Sequence, residues 1–201
     1  MFDPNLLTVL FIGRSGCGKG TQSGLLVKYL EAGNRALAPV LYIETGARFR
    51  DFIKRDSFSS QLSQKIMATD DLQPSFLSTW MWANEFIEKM EEGQHLVVDG
   101  SPRKPAEALT MASALRFYGR HRPAVVHLNV SREWSHKHLL ARGRADDDVA
   151  GIEKRLNWFD EEVVPTIDFF KNDPNFLFLD IDGERPIEVI HQDIIARLWS
   201  D

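Results

Sequence analysis

Leu6-Leu7-Thr8-Val9-Leu10-Phe11-Ile12-Gly13-Arg14-Ser15-Gly16-Cys17-Gly18-Lys19-Gly20-Thr21-Gln22 is the stretch that decides the fold. Leu6 to Ile12 is a nearly unbroken apolar run, as expected of a strand covered on both faces of a parallel sheet. The second half is glycine-rich and opens a helical pattern that runs from Gly20 to Glu31. A G-x-x-x-x-G-K string set between a strand and a helix lets the backbone curl until its N–H groups point at a phosphate, with the helix N-terminus adding positive potential. Lys19 would then bridge β and γ phosphate oxygens, and Thr21 would reach the shell of a magnesium ion. The plainer alternative is a glycine-rich turn without a ligand. Cys17 reads as a small filler of the loop, since the chain holds no second thiol to resolve it.

Working outward, further apolar runs lie at Val40 to Ile43, Leu96 to Val98, Val125 to Leu128 and Phe176 to Leu179. Amphipathic patterns separate them: Arg48 to Glu92 in several pieces, Pro105 to Tyr118, Arg132 to Ala141, Val149 to Phe170 and Pro186 to Trp199. Five strands alternating with helices predict an α/β fold, a doubly wound five-stranded parallel sheet of the P-loop NTPase type. No internal repeat or linker divides the chain, so residues 1–201 are expected to form a single domain. Residues 45–92 are too long for one crossover and should form a helical insert over the sheet edge. Ligands in such sheets bind beyond the carboxyl ends of the strands.

The chain has 201 residues, 43% of them hydrophobic and 26% charged, and a formal net charge of −5. That size buries a core without disulfide or metal staples. A single cysteine excludes a disulfide framework and a four-cysteine zinc site, and it suits a reducing compartment. The apolar runs fall far short of the about 20 residues that a membrane span needs. Met1 to Asn5 carries no cationic region, unlike a secretory signal. A cytoplasmic protein is expected, with no membrane partner, no nucleic-acid partner, and a monomeric state. Arg116, Arg120, His121 and Arg122 form a basic patch, read as a solvated loop on a mildly acidic protein.

The hydroxyl of the phosphate loop comes one residue later than in the general pattern, because Gly20 precedes Thr21. With that offset, G-x-x-G-x-G-K-G-T-Q closely resembles the loop of adenylate kinases and related nucleoside monophosphate kinases. Further motifs follow in that family's order. Thr45-Gly46-Ala47-Arg48-Phe49-Arg50 resembles the T-G-x-x-x-R opening of the monophosphate-binding segment, and Asp99-Gly100-Ser101-Pro102-Arg103 is similar to D-G-[FY]-P-R. Arg142-Gly143-Arg144-Ala145-Asp146-Asp147 resembles a compressed lid, and Lys154-Arg155-Leu156 matches the K-R-L of the next helix.

The resemblance implies magnesium-dependent transfer of the ATP γ-phosphoryl group to a nucleoside monophosphate, AMP favoured. The rivals are another monophosphate such as GMP or a pyrimidine nucleotide, and a non-catalytic nucleotide-binding protein. It also implies roles. Gly13, Ser15, Gly16, Cys17, Gly18, Lys19, Gly20, Thr21 and His138 would bind ATP. Thr45, Gly46, Arg50, Gln73, Gly100, Arg103 and Glu107 would bind the monophosphate, Arg50 and Arg103 gripping its phosphate. Arg142, Arg144 and Arg155, with Lys19 and Arg103, would surround the transferring group. Thr21 and, through water, Asp99 would hold magnesium. Guanidinium forks match phosphate oxygens bidentately and keep their charge throughout. For any single arginine the alternative is a structural pair with Asp146 or Asp147; for Asp99 it is a cap on the following turn.

The resemblance has departures. The lid, residues 142–147, is minimal. His138 stands where the family usually has an arginine that stacks on the ATP base. Glu107 stands where adenylate kinases carry the glutamine that reads AMP; both its oxygens could accept from guanine, which would loosen AMP selectivity. Otherwise Glu107 points to solvent or pairs with Lys104, leaving backbone near Leu72 and Gln73 to read the base. His136 and His138, about 200° apart round a helix, cannot share a metal. The Trp80/Trp82 region and Trp158-Phe159 are read as packing rather than as a platform for a base.

Overall fold

The computed structural model describes residues 6–33, 38–143 and 147–199. Strands β1 (Thr8–Gly13), β2 (Val40–Glu44), β3 (His95–Asp99), β4 (Ala124–Asn129) and β5 (Leu177–Asp182) form one sheet in the order β2-β3-β1-β4-β5. Every neighbouring pair is parallel. The chain therefore winds outward from β1 in both directions, and the loops beyond β1 and β3 face the same crevice.

The continuous apolar runs are explained by where alternate residues go. Leu10, Ile12, Ile43, Leu96, Val98 and Val125 enter one core with Trp82, Phe86, Met111 and Phe170. Val9, Phe11, Val97, Val126, Leu128 and Ile181 enter the other with Leu26, Leu30, Ile190 and Ile194. Helices α1 (Lys19–Glu31) and α9 (Ile187–Leu198) cover that second face. The first is covered by α4 (Ser75–Lys89), α5 (Pro105–Phe117) and α8 (Val164–Asn172).

After β2 come α2 (Thr45–Phe52) and α3 (Phe58–Ala68) ahead of α4. Ser57 starts α3 with a reciprocal capping box to Ser60. Phe49, Phe52, Leu77 and Met81 form a small core of their own beneath these helices. Beyond β4 lie α6 (Arg132–Arg142), capped by Ser131, and α7 (Val149–Trp158), capped by Asp148.

The single helical pattern expected over Val149 to Phe170 is broken by a π-helical turn at Phe159–Val163, between α7 and α8. Pro165 lacks the N–H an α-helix would need, and a wider turn ahead of it accommodates the ring. The turn also buries Phe159 and faces Asp160 toward the Arg14 guanidinium, 2.7 Å away. Of the basic patch, Arg120 is structural: it donates to the Gln94 carbonyl at 2.6 Å, and burial pushes its pKa down. No helix among the described residues is long and apolar enough to cross a membrane.

Trp82 is wholly buried between α4 and the sheet. Trp82→Ala should lower stability by about 3–5 kcal/mol through the cavity it leaves, measured as a shift in urea midpoint at unchanged slope.

Candidate functional site

A cleft of about 540 Å³ opens at the carboxyl ends of β1, β2 and β3. Ser15, Gly16, Gly18, Lys19, Gly20 and Thr21 line one wall. Gly18 caps α1 at φ 92° with no side chain on the helix end, and no acidic residue occupies the first turn. The first N–H groups of α1 thus face the cleft without a competing carboxylate. Gly16, at φ 79°, lies so close to α6 that a Cβ would sit 2.8 Å from Leu139 Cγ. Lys19 Nζ is folded back on the loop, donating to the carbonyls of Gly13 and Arg14 at 2.8 Å each. Gly13 and Cys17 stand behind the wall: a Cβ on Gly13 would meet the Cys17 Sγ at 2.8 Å, and burial pushes the Cys17 thiol pKa up.

Asp99 closes the floor. Its Oδ2 accepts from the Ser23 and Tyr42 hydroxyls, both at 3.4 Å, and burial raises its pKa. Burial also pushes the Tyr42 hydroxyl up to about 12, so it stays a donor. The carboxylate and Thr21 border the cleft together, a set of hard oxygen donors that fits a magnesium ion.

Thr45, Gly46, Arg50 and Gln73 line the opposite wall. The Thr45 hydroxyl is buried and has no hydrogen-bond partner among the described residues. Arg50 pairs with Glu44 at 2.6 Å. The Gln73 amide is spent on α3, accepting from Ser63 Oγ and donating to Ser63 O at 3.0 Å each. Gly100 and Arg103 come from the turn after β3, with Arg103 Nε donating to Gly100 O at 3.0 Å.

Arg142 and Arg155 complete the cleft from α6 and α7. Both grip one fully buried carboxylate: Asp147 accepts from Arg142 Nε at 2.8 Å and Nη2 at 2.7 Å, and from Arg155 Nη2 at 2.9 Å. The structural pairing weighed for these arginines therefore exists, and it holds them at the cleft's edge. Arg144 and Asp146 lie outside the described residues.

Two expectations change. His138 is not in the cleft: its exposed ring stacks on Trp134, centroids 3.4 Å apart, and its Nδ1 lies 2.8 Å from the Trp134 carbonyl. Four residues apart on α6, the two rings meet on one face. Glu107 is buried, neither solvated nor paired with Lys104; its Oε2 accepts from the Arg103 backbone N–H at 2.9 Å. One of its oxygens is thereby engaged by the backbone, which fixes the orientation of the carboxylate at the cleft wall.

The cleft also recruits residues that sequence reasoning missed, notably Glu44, Asp70, Asp71 and Trp158. Trp158 lies three positions beyond Arg155, hence on the same helix face, and that spacing was the available signal.

A family model described as adenylate kinase matches residues 11–175. The chain belongs to the adenylate kinase family. Among curated relatives, adenylate kinase 1 of Nostoc sp. is 27% identical over 96% of this chain and 98% of its own length. The adenylate kinase of Prochlorococcus marinus is 30% identical over 94% and 97%. That of Porphyromonas gingivalis is 32% identical over 82% of both chains. This adenylate kinase-family chain is accordingly an ATP-dependent nucleoside monophosphate kinase with a five-stranded parallel sheet.

Asp147→Ala would strand two guanidinium groups beside each other. Loss of about 3–5 kcal/mol in urea unfolding is expected, with turnover falling as Arg142 and Arg155 leave the cleft.

Proposed function

We infer that this chain transfers the γ-phosphoryl group of ATP reversibly to AMP, giving two molecules of ADP. The observation that carries the reading is convergence: the phosphate loop, Arg50, Arg103, Arg142 and Arg155 border one cleft in a member of the adenylate kinase family. Transfer between two polyanions is mostly positioning and charge neutralisation, which is what such a cleft offers.

In this mechanism the loop N–H groups of Gly16, Gly18 and Lys19 hold the β-phosphate, and Lys19 Nζ leaves the Gly13 and Arg14 carbonyls for the β and γ oxygens. Thr45, Gly46, Gly100, Arg50 and Arg103 seat the monophosphate in residues 45–92 and the turn beside them. Its phosphate oxygen then attacks the γ-phosphorus in line with the departing β,γ-bridging oxygen, without a covalent enzyme intermediate. Arg142 and Arg155, joined by Arg144 on the short lid of residues 142–147, neutralise charge on the group in flight. Thr21 and Asp99, the latter through water, would hold magnesium, which supplies further positive charge to the phosphates when bound.

The AMP preference rests on membership of the adenylate kinase family; Glu107 borders the cleft with its Oε2 held by the Arg103 N–H. The single cysteine supports a cytoplasmic setting.

The test is a coupled assay of ATP with a panel of monophosphates. AMP should be used at least about tenfold better than GMP by kcat/KM. Equal use of the two would refute the assignment of the base. Lys19→Ala should lower kcat a few hundredfold, about 3–4 kcal/mol of transition-state stabilisation, with the melting temperature unchanged. A variant that keeps most of the wild-type kcat would remove Lys19 from the mechanism.

A further inference from the structure

The cleft's arginines are not held alike. Arg50 is paired with Glu44, and Arg142 and Arg155 are paired with Asp147. Arg103 lies instead over an aromatic ring, its guanidinium carbon 5.4 Å from the centroid of Trp158. Its Nε is taken by the Gly100 carbonyl, and among the described residues no carboxylate or carbonyl takes Nη1 or Nη2.

The two kinds of partner have opposite consequences for an incoming phosphate. A carboxylate occupies the in-plane N–H donors and cancels the charge, so a phosphate must displace it or share it. An aromatic face attracts the cation from above the plane and leaves the in-plane edge open. Burial disfavours the charged form of Arg103, with Glu107 and Asp99 opposing that effect, and the ring adds attraction without using a donor.

Trp158 is itself tied down. Its Nε1–H donates to the Asp70 carbonyl at 3.1 Å, and Asp70 sits at φ 54° in the connection between α3 and α4. One residue on, Asp71 pairs with Lys154 of α7 at 2.7 Å. The indole therefore lies at the junction of α7, the α3–α4 connection and the turn after β3.

We propose that Trp158 is a positioning residue that presents the in-plane edge of Arg103 to the phosphate of the monophosphate, its ring backing the guanidinium and its N–H anchoring the ring to the α3–α4 connection. This inference rests on the phosphoryl-transfer reading of the cleft and deepens its account of acceptor binding.

The experiment compares the wild type with Trp158→Leu and Trp158→Phe. AMP binding is measured by calorimetry without ATP, adenosine binding by competition, and kcat with both KM values by coupled assay. Trp158→Leu should weaken AMP and raise its KM about tenfold, as expected for loss of a desolvated cation–π contact. The ATP KM should stay within about twofold, because the phosphate loop is untouched. Adenosine, which has no phosphate, should be affected much less than AMP. Trp158→Phe keeps a ring but loses the N–H to Asp70, and should recover part of the AMP affinity lost in Trp158→Leu, an outcome that a merely space-filling role does not require. An equal rise in the ATP KM, an equal loss for adenosine, or a Phe variant no better than Leu overturns the proposal. Failure of the wild type to bind or phosphorylate AMP would instead refute the functional reading, and this inference with it.

Discussion

Several cations crowded into one cleft repel one another, and each must have a partner until an anion arrives. Lys19 spends its charge on two carbonyls of its own loop. Arg50 turns to Glu44, and Arg142 and Arg155 share the buried Asp147. Arg103 uses a carbonyl and an aromatic face. These arrangements differ in how much a phosphate must undo. Carbonyl and ring contacts neutralise no charge, whereas the half-exposed Glu44 pair is weakly held by solvent-screened attraction. Asp147 is the exception: completely buried, it is not available for exchange, and it fixes two arginines from different helices at one edge of the cleft.

The sheet determines where these partners can stand. Because every strand is parallel, the carboxyl ends of β1, β2 and β3 end together, and Glu44 and Asp99 are register partners on adjacent strands. The same geometry sets the phosphate loop beside the turn carrying Gly100 and Arg103. Ser23 from α1 and Tyr42 from β2 then converge on one oxygen of Asp99, which turns a buried carboxylate into a fixed element of the floor.

Behind the phosphate loop a second set of contacts joins it to the helices that carry Arg155. The Arg14 guanidinium lies 4.3 Å from the centroid of Phe159 and pairs with Asp160, both in the π-helical turn. Arg132 of α6 reaches the same Asp160 and also Glu153 of α7. The loop, α6, α7 and the turn are thus braced together by charges.

Composition and local pattern were enough for much of this. Five apolar runs, each too short to be anything but a buried strand between helices, led to the parallel sheet, because a strand covered on both faces has no polar side to show. Glycines at fixed positions before Lys19 led to the phosphate loop, because backbone curvature there depends on residue type alone. Partner choice was different in kind. Whether Glu107 faces a base, solvent or the Arg103 N–H depends on the angle at which α5 leaves the turn after β3. That Trp158 reaches Arg103 and Asp70 depends on side chains brought together from distant parts of the chain. Contacts between residues dozens of positions apart leave no periodic trace in a sequence, since nothing in the local backbone requires them; only the packed tertiary structure decided them.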